Sequence, residues 1–312
     1  MTVSGATETT NKPSNAPRIR KIEAIVNPAA GSAGPGAGAA IEVLLAEFAI
    51  PARVRTAYPE DLRASLQSAI DAGPDLLIIL AGDGTARIAA SLCGPEGPLL
   101  APLPGGTMNM LPEALYGPKD WMTALRDLLT HGVETPVSGG AIDDRHFHVA
   151  AVLGAPTMWA EVREAARHRN FRLAMTKAQN AWRRAFATRL KFACDGGPQQ
   201  RARALTLMCP LVSRIMADDE GALEADALDP EGAMEVFRLG FRTLMSVVAG
   251  DWRDDPSVRV TRCRRAEAWA RGHMPAILDG EPVRLHKHVD IRFVPKAFRA
   301  LAPPRPTPGE GG

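Results

Sequence analysis

The four cysteines of this chain, Cys93, Cys194, Cys209 and Cys263, are widely spaced, and no Cys-x-x-Cys pair is present. That pattern gives no support to a disulfide framework or a thiolate zinc site; it reads as buried thiols in a reducing compartment. No uninterrupted run reaches the roughly eighteen apolar residues that a membrane-spanning helix requires, so no such segment is expected. Charge of one sign is also scarce in excess: 37 Lys and Arg face 35 Asp and Glu, a net of +2. A protein that wraps nucleic acid shows a stronger basic surplus or a recognised module, and neither is present. Several chemical signatures are missing as well. There is no Gly-x-x-x-x-Gly-Lys-Ser/Thr phosphate loop, no Gly-x-Gly-x-x-Gly dinucleotide fingerprint with an acidic strand end, no protein-kinase His-Arg-Asp or Asp-Phe-Gly, and no Gly-x-Ser-x-Gly elbow.

What remains is organised. A length of 312 residues is enough for two domains. The first nineteen residues are polar and lack the apolar centre of a signal peptide; they read as a disordered tail. From residue 20 to 131, short apolar runs alternate with helical periodicity. Strands are expected at Ile22 to Val26, Asp75 to Leu80 and Leu99 to Leu103, and helices over 39–48, 60–71, 86–92 and 121–130. This alternation predicts an α/β domain with a parallel sheet. From 132 to 288 the pattern changes to short strands separated by Gly, Pro and Asp turns, which predicts a mainly β domain. A helix-compatible insertion covers 157–191. A strand at 289–301 is free to return to either domain, and 302–312 reads as a second tail.

Two turns carry the strongest chemical signal. Gly82-Asp83-Gly84-Thr85 follows the Leu-Leu-Ile-Ile-Leu run directly. In an open parallel sheet, ligands bind beyond the carboxyl ends of the strands. Glycines there permit close approach of a phosphate, and the amides of the turn and of the next helix can hold oxyanions. Asp83 is placed to coordinate magnesium, position a nucleotide or assist deprotonation. One strand later, Pro104-Gly105-Gly106-Thr107-Met108-Asn109 repeats the arrangement. Ordinary βα turns would account for either alone; two neighbouring ones suggest the opposite lips of one nucleotide cleft.

Together with Asn27-Pro28-Ala29-Ala30-Gly31, these segments resemble the diacylglycerol kinase catalytic domain family, which includes bacterial lipid kinases and sphingosine kinases and is related to the NAD kinases. The resemblance covers about residues 20 to 130. It implies a Rossmann-like N-terminal domain and a sandwich-like β domain, with ATP and Mg²⁺ in the cleft and a lipid hydroxyl entering between the domains. Asn27, Gly82, Asp83, Gly84, Thr85, Gly105, Gly106, Thr107 and Asn109 would then bind the nucleotide. The terminal Leu278-Asp279-Gly280-Glu281 resembles the family's Asp-Gly-Glu segment. It implies Glu281 as general base, with Asp279 positioning it and Asp83 as the other candidate; on its own the tetrapeptide is also a plain β-turn. Ala81 replaces the usual first glycine, Met110 stands where relatives carry a polar residue, and the Phe-Asp pair and triple glycine of the family's second half are absent.

The implied activity is transfer of the ATP γ-phosphoryl group to diacylglycerol or a similar lipid. NAD kinase, or a weakly catalytic regulatory protein of the same fold, are the alternatives. A lipid acceptor implies transient peripheral contact with a membrane surface from the cytoplasmic side; nucleic acid is not an expected partner, and a homodimer is compatible with the resemblance. Arg163 to Lys191 carries nine basic residues against one acid, which suits either an anionic membrane or a solvated helix face. Residues 218–231 hold seven acids and no base. They read either as a solvated loop or as an oxygen-ligand magnesium site drawing on Asp229 and Glu231. His146-x-His148 and His286-x-His288 lack a third ligand at a suggestive spacing and read as ordinary strand or surface residues.

Overall fold

The computed structural model describes residues 17–58, 60–154, 190–213, 221–228 and 258–304. In the N-terminal half, β1 (Ile22–Val26), β2 (Ala52–Thr56), β3 (Leu76–Ala81) and β4 (Leu99–Pro104) are linked by α1 (Ala37–Glu47), α2 (Leu62–Asp71) and α3 (Asp83–Cys93). Two further helices follow, α4 (Met110–Tyr116) and α5 (Trp121–His131). All residues of β1, β3 and β4 are buried, as expected for parallel strands covered on both faces. Ile78, Leu80, Leu103 and Leu125 belong to the apolar cluster on one face of the sheet. Leu77, Ile79, Leu66 and Ala89 belong to the cluster on the other.

The remaining strands are β5 (Val133–Ile142), β6 (Arg145–Phe147), β7 (Ala150–Leu153), β8 (Leu190–Cys194), β9 (Gln200–Ala202), β10 (Ala204–Met208) and β11 (Leu223–Leu228). They are followed by β12 (Val258–Cys263), β13 (Arg265–Trp269), β14 (Met274–Leu278), β15 (Glu281–Leu285) and β16 (His288–Ala302). One sheet runs β2-β1-β3-β4-β16-β13-β8-β9, with β5 alongside β16. The second, antiparallel sheet runs β12-β11-β10-β7-β14-β15. Phe192, Ile291 and Ile142 of the first sheet meet Leu153, Leu205, Leu223 and Leu278 of the second in one core. The chain is thus mixed α/β in its N-terminal half and β-rich in its C-terminal half.

The fifteen-residue β16 pairs with β5 from Ile291↔Ile142 to Ala302↔Val133, with a bulge between Val294 and Phe298. Near its end it lies parallel to β4, Ala300 beside Leu100. Among the described residues, no helix is long and apolar enough to cross a membrane.

The acidic stretch corrects an expectation. Leu223–Leu228 is not a solvated loop but an interior strand, flanked by β10 and β12. The alternation explains it: Leu223, Ala225 and Ala227 face the core, while Glu224 and Asp226 face the other way. Both acids are nevertheless fully buried, and Glu224 accepts a hydrogen bond from the Ser213 hydroxyl. Asp229, Glu231 and most of 157–191 lie outside the described residues.

Candidate active site

Three turns meet at the carboxyl ends of β1, β3 and β4. Ala81 and Pro104 are register partners in adjacent parallel strands, so the turns that follow them leave the sheet side by side. Their backbones touch: a Cβ on Gly106 would lie 2.9 Å from Gly82 Cα, and one on Gly105 would lie 2.7 Å from the Ala81 nitrogen. No side chain fits at either position, which explains the pair of glycines. The turn after β1 packs on the same place. Ser32 donates its N–H to the Gly105 carbonyl at 3.0 Å and its hydroxyl to Pro104 O at 3.0 Å. Asn27 organises that turn from within, its Oδ1 accepting the Ala29 N–H at 3.0 Å.

Asp83 ties the second turn to the first. Its carboxylate accepts the N–H groups of Met110 at 2.6 Å and Asn109 at 3.0 Å. It therefore caps α4 from another segment of the chain, a place where negative charge is favoured. Asn109 adopts the left-handed conformation (φ 51°), and its Oδ1 accepts the Gly106 N–H at 2.7 Å. Thr85 is buried in the first turn of α3, where its N–H is donated to Gly82 O at 3.0 Å.

Asp279 and Glu281 reach this place from the second sheet. Asp279 and Gly280 form the tight β14–β15 turn, both with positive φ (47° and 80°), as a two-residue hairpin of this hand requires. The Asp279 carboxylate is buried and accepts three backbone N–H groups, from His148 and Val149 at 2.8 Å and from Ala150 at 3.0 Å. The turn's tip rests on the second glycine turn and the start of α4: a Cβ on Gly280 would lie 3.0 Å from Met110 Sδ and 3.2 Å from Met108 Sδ. Met110 is thereby a packing residue. The half-buried Glu281 then lies over the start of α3, its carboxyl carbon 3.6 Å from the Cβ position of Gly84.

The electrostatics follow from this crowding. Burial pushes the Asp83 carboxyl up to about 6; the Met110 amide opposes the shift, and the negative charges of Asp279 and Glu281 add to it. Burial likewise pushes Asp279 up to about 6 against its three amide bonds. The nearby cation is Arg87, one turn along α3, whose guanidinium reaches the His146 carbonyl at 3.4 Å and lowers the Asp279 carboxyl. His148 lies behind Asp279, fully buried, with its ring edge-on to Phe298 at 5.0 Å between centroids. Burial holds its imidazole down to about 3. Neither ring nitrogen has a hydrogen-bond partner among the described residues.

Thr107 Oγ1 lies 3.4 Å from the Cβ position of Gly31, so the sequence-predicted residues Asn27, Gly82, Asp83, Gly84, Thr85, Gly105, Gly106, Thr107, Asn109, Asp279 and Glu281 are brought to one place. Ser32, Arg87 and His148 were not anticipated there; a serine after a glycine turn, or an arginine in a helix, carries no distinguishing signal. Of the described residues, Glu267, His288 and Asp290 form a separate exposed group whose ligand atoms lie within 4.8 Å of one another.

Comparison with known proteins bears on the fold. The sequence model of the diacylglycerol kinase catalytic domain matches residues 21–141. A crystal structure of a diacylglycerol kinase from Bacillus anthracis str. Sterne superposes with a TM-score of 0.65 at 18% identity, over 92% of this chain and 98% of that one. A crystal structure of a candidate diacylglycerol kinase from the same bacterium gives a TM-score of 0.69 at 19% identity, over 92% and 99%. At that identity the likeness establishes the shared fold.

Proposed function

We propose that this chain is an ATP-dependent lipid kinase that transfers the γ-phosphoryl group of ATP to the hydroxyl of diacylglycerol or a similar lipid. The observation that carries the reading is the position of Glu281: a carboxylate from the β-rich half stands over Gly84 in the first turn of α3. An acid beside a phosphate-type turn suits proton removal from an alcohol attacking a phosphoryl group. Gly82 has open space where its Cβ would be, so the amino end of α3 is approachable by a polyphosphate. Asn27, Thr85, Thr107 and Asn109 line the same turns. The matched family and the fold of the Bacillus anthracis structures support the same reading, with the N-terminal half Rossmann-like and the C-terminal half sandwich-like.

Three acids and one arginine are a poor receptor for a polyanion by themselves, so the donor set fits a bound Mg²⁺. Asp83 would hold it, since each carboxylate oxygen keeps a lone pair after accepting one amide. Mg²⁺ would supply charge neutralisation at the phosphates. Glu281 takes the acceptor's proton as the P–O bond forms. Asp279 fixes the turn that aims Glu281, and Asp83 fixes the second glycine turn against the first. A lipid acceptor also entails transient contact with a membrane surface on the cytoplasmic side.

Labelled ATP and Mg²⁺ incubated with the full chain and, separately, diacylglycerol, phosphatidylglycerol, sphingosine and NAD provide the test. Label on a lipid supports the reading. Transfer to NAD alone rejects it, and ATP binding without transfer to any acceptor points to a regulatory protein of this fold.

A further inference from the structure

The four cysteines are not equivalent. Cys93 is buried on α3, where burial pushes its thiol up to about 12. Cys209 is buried and likewise held well above the ordinary thiol range. Cys194 and Cys263 instead meet at one corner, where the chain passes from β12 in the second sheet to β13 in the first. Strand register brings the corner together: Cys194, the last residue of β8, pairs with Ala266 of β13, three residues beyond Cys263.

The neighbouring backbone fixes that approach. Asp195 donates its N–H to the Arg265 carbonyl at 2.7 Å, and its Oδ1 accepts the N–H groups of Arg264 at 3.1 Å and Arg265 at 2.8 Å. Cys263 Sγ lies 3.1 Å from the same Arg265 carbonyl, and the two thiols stand near enough that Cys263 lowers the pKa of Cys194 while Cys194 raises that of Cys263. Cys263 is fully buried, whereas Cys194 is half-exposed.

We propose that Cys194 and Cys263 form a peroxide-sensitive dithiol that closes to an intrachain disulfide, tying the end of β8 to the end of β12. Cys194 is the attacking sulfur, since solvent reaches it and the neighbouring Cys263 thiol lowers its pKa. The Cys194 thiolate forms an S–O bond with hydrogen peroxide as the O–O bond breaks; the departing hydroxide takes a proton and leaves as water. The resulting sulfenic acid is attacked by the Cys263 sulfur. An S–S bond forms, the S–O bond breaks, and the hydroxyl leaves with the Cys263 proton as a second water. The two thiols lose two electrons and the peroxide gains them. Cys263 is held at the same corner by the Arg265 carbonyl, so it resolves the sulfenic acid before further oxidation. The closed bond would link the two sheets through a loop running from 194 to 263, the geometry in which a crosslink restrains the unfolded chain most.

The experiment uses the reduced full chain, desalted, treated with hydrogen peroxide, then unfolded in denaturant with iodoacetamide, and digested without reductant for mass spectrometry. The expected product is a pair of peptides joined through Cys194 and Cys263, two hydrogens lighter than the separate peptides and separated by dithiothreitol, with Cys93 and Cys209 alkylated. In Cys263→Ser the reaction should stop at a Cys194 sulfenic acid that dimedone captures. The proposal is overturned if Cys194 and Cys263 are alkylated after peroxide as fully as before it, or if the bond joins other cysteines or two chains. The wild-type measurement decides the matter even if the variant does not fold.

Discussion

Glu281 lies so close above Gly84 that a methyl group there would stand 3.6 Å from the Glu281 carboxyl carbon, in ordinary van der Waals contact. Gly84 opens a helix that follows a strand of the first sheet, Glu281 opens a strand of the second, and most of the described chain separates them, yet they share the mouth of one turn. Gly84 is in the first turn of α3, where alanine is a better helix former than glycine. Gly84→Ala should therefore keep or slightly raise the melting temperature. The added methyl occupies the approach to the α3 amides, so the ATP Kd should rise about tenfold, a loss of ~1.4 kcal/mol. Unchanged affinity by calorimetry would place the polyphosphate elsewhere.

Removing the proposed base should separate binding from chemistry. Glu281→Gln keeps the size of the side chain and the hairpin that carries it. We expect ATP affinity near that of the parent and a turnover lower by about 10²–10⁴, the range for a general base. Near-normal turnover would move the proton transfer to Asp83 or to solvent.

The two buried acids should differ in what they hold together. In Asp279→Asn one oxygen that accepts an amide becomes an NH₂ facing an N–H donor, while the left-handed backbone still suits asparagine. Asp83→Asn makes the same exchange at a group with two amide partners. Each should destabilise the fold by about 1–3 kcal/mol, with Asp279→Asn the larger because three donors converge on it. Chemical denaturation of the two variants measures the order directly, and the reverse order would contradict the anchoring role of Asp279.

Acid should act on this region in two opposing directions. The folded His148 ring titrates near 3 against an ordinary 6.5, so below 6.5 the unfolded chain takes up a proton that the folded chain refuses. Stability from His148 is thus lost as pH falls from 6.5 toward 3. Asp83 and Asp279 titrate near 6 when folded against an ordinary 3.8. Between 6 and 3.8 the folded chain holds protons that the unfolded chain has released, so their contribution to stability grows as pH falls. At pH 5, relative to pH 7, His148 should cost about 2 kcal/mol and each acid should return about 1 kcal/mol. His148→Gln should therefore gain on the parent as pH is lowered from 7 to 5, by about 2 kcal/mol in denaturant titrations. Parallel pH profiles would show that the buried ring is protonated in the fold.

Several features were readable because their physical cause is local. The Leu76 to Leu80 run is apolar throughout, as a strand covered on both faces must be, and Gly82-Asp83-Gly84-Thr85 punctuates it. The second glycine turn stands out for the same reason. Other features depend on residues distant in sequence. Nothing around Asp279 announces that its carboxylate serves amides some 130 positions earlier. Asp83 reads as a ligand-facing acid, whereas both its oxygens accept amides of the α4 terminus. In β11 the period-two alternation of apolar and acidic residues was present, but acids in a sheet interior contradict the usual cost of burying charge. β14 carries Pro275 inside it, and a proline argues against a central strand, so its place beside β7 and β15 is not legible from the segment alone.

The long β16 strand has a consequence for synthesis. It follows every other described strand in sequence, yet it lies beside β4 in the parallel region and beside β13 and β5 in the β-rich region. A ribosome that has finished the α/β half has therefore not yet supplied the neighbour of Leu100. Until residues 288–302 emerge, β4 is an unprotected edge, and such edges recruit other chains. The nascent protein should depend on holdase chaperones late in translation, and chains arrested at residue 287 should aggregate where the full chain does not. The α/β region and the β-rich region should reach their native state together, on arrival of one shared strand.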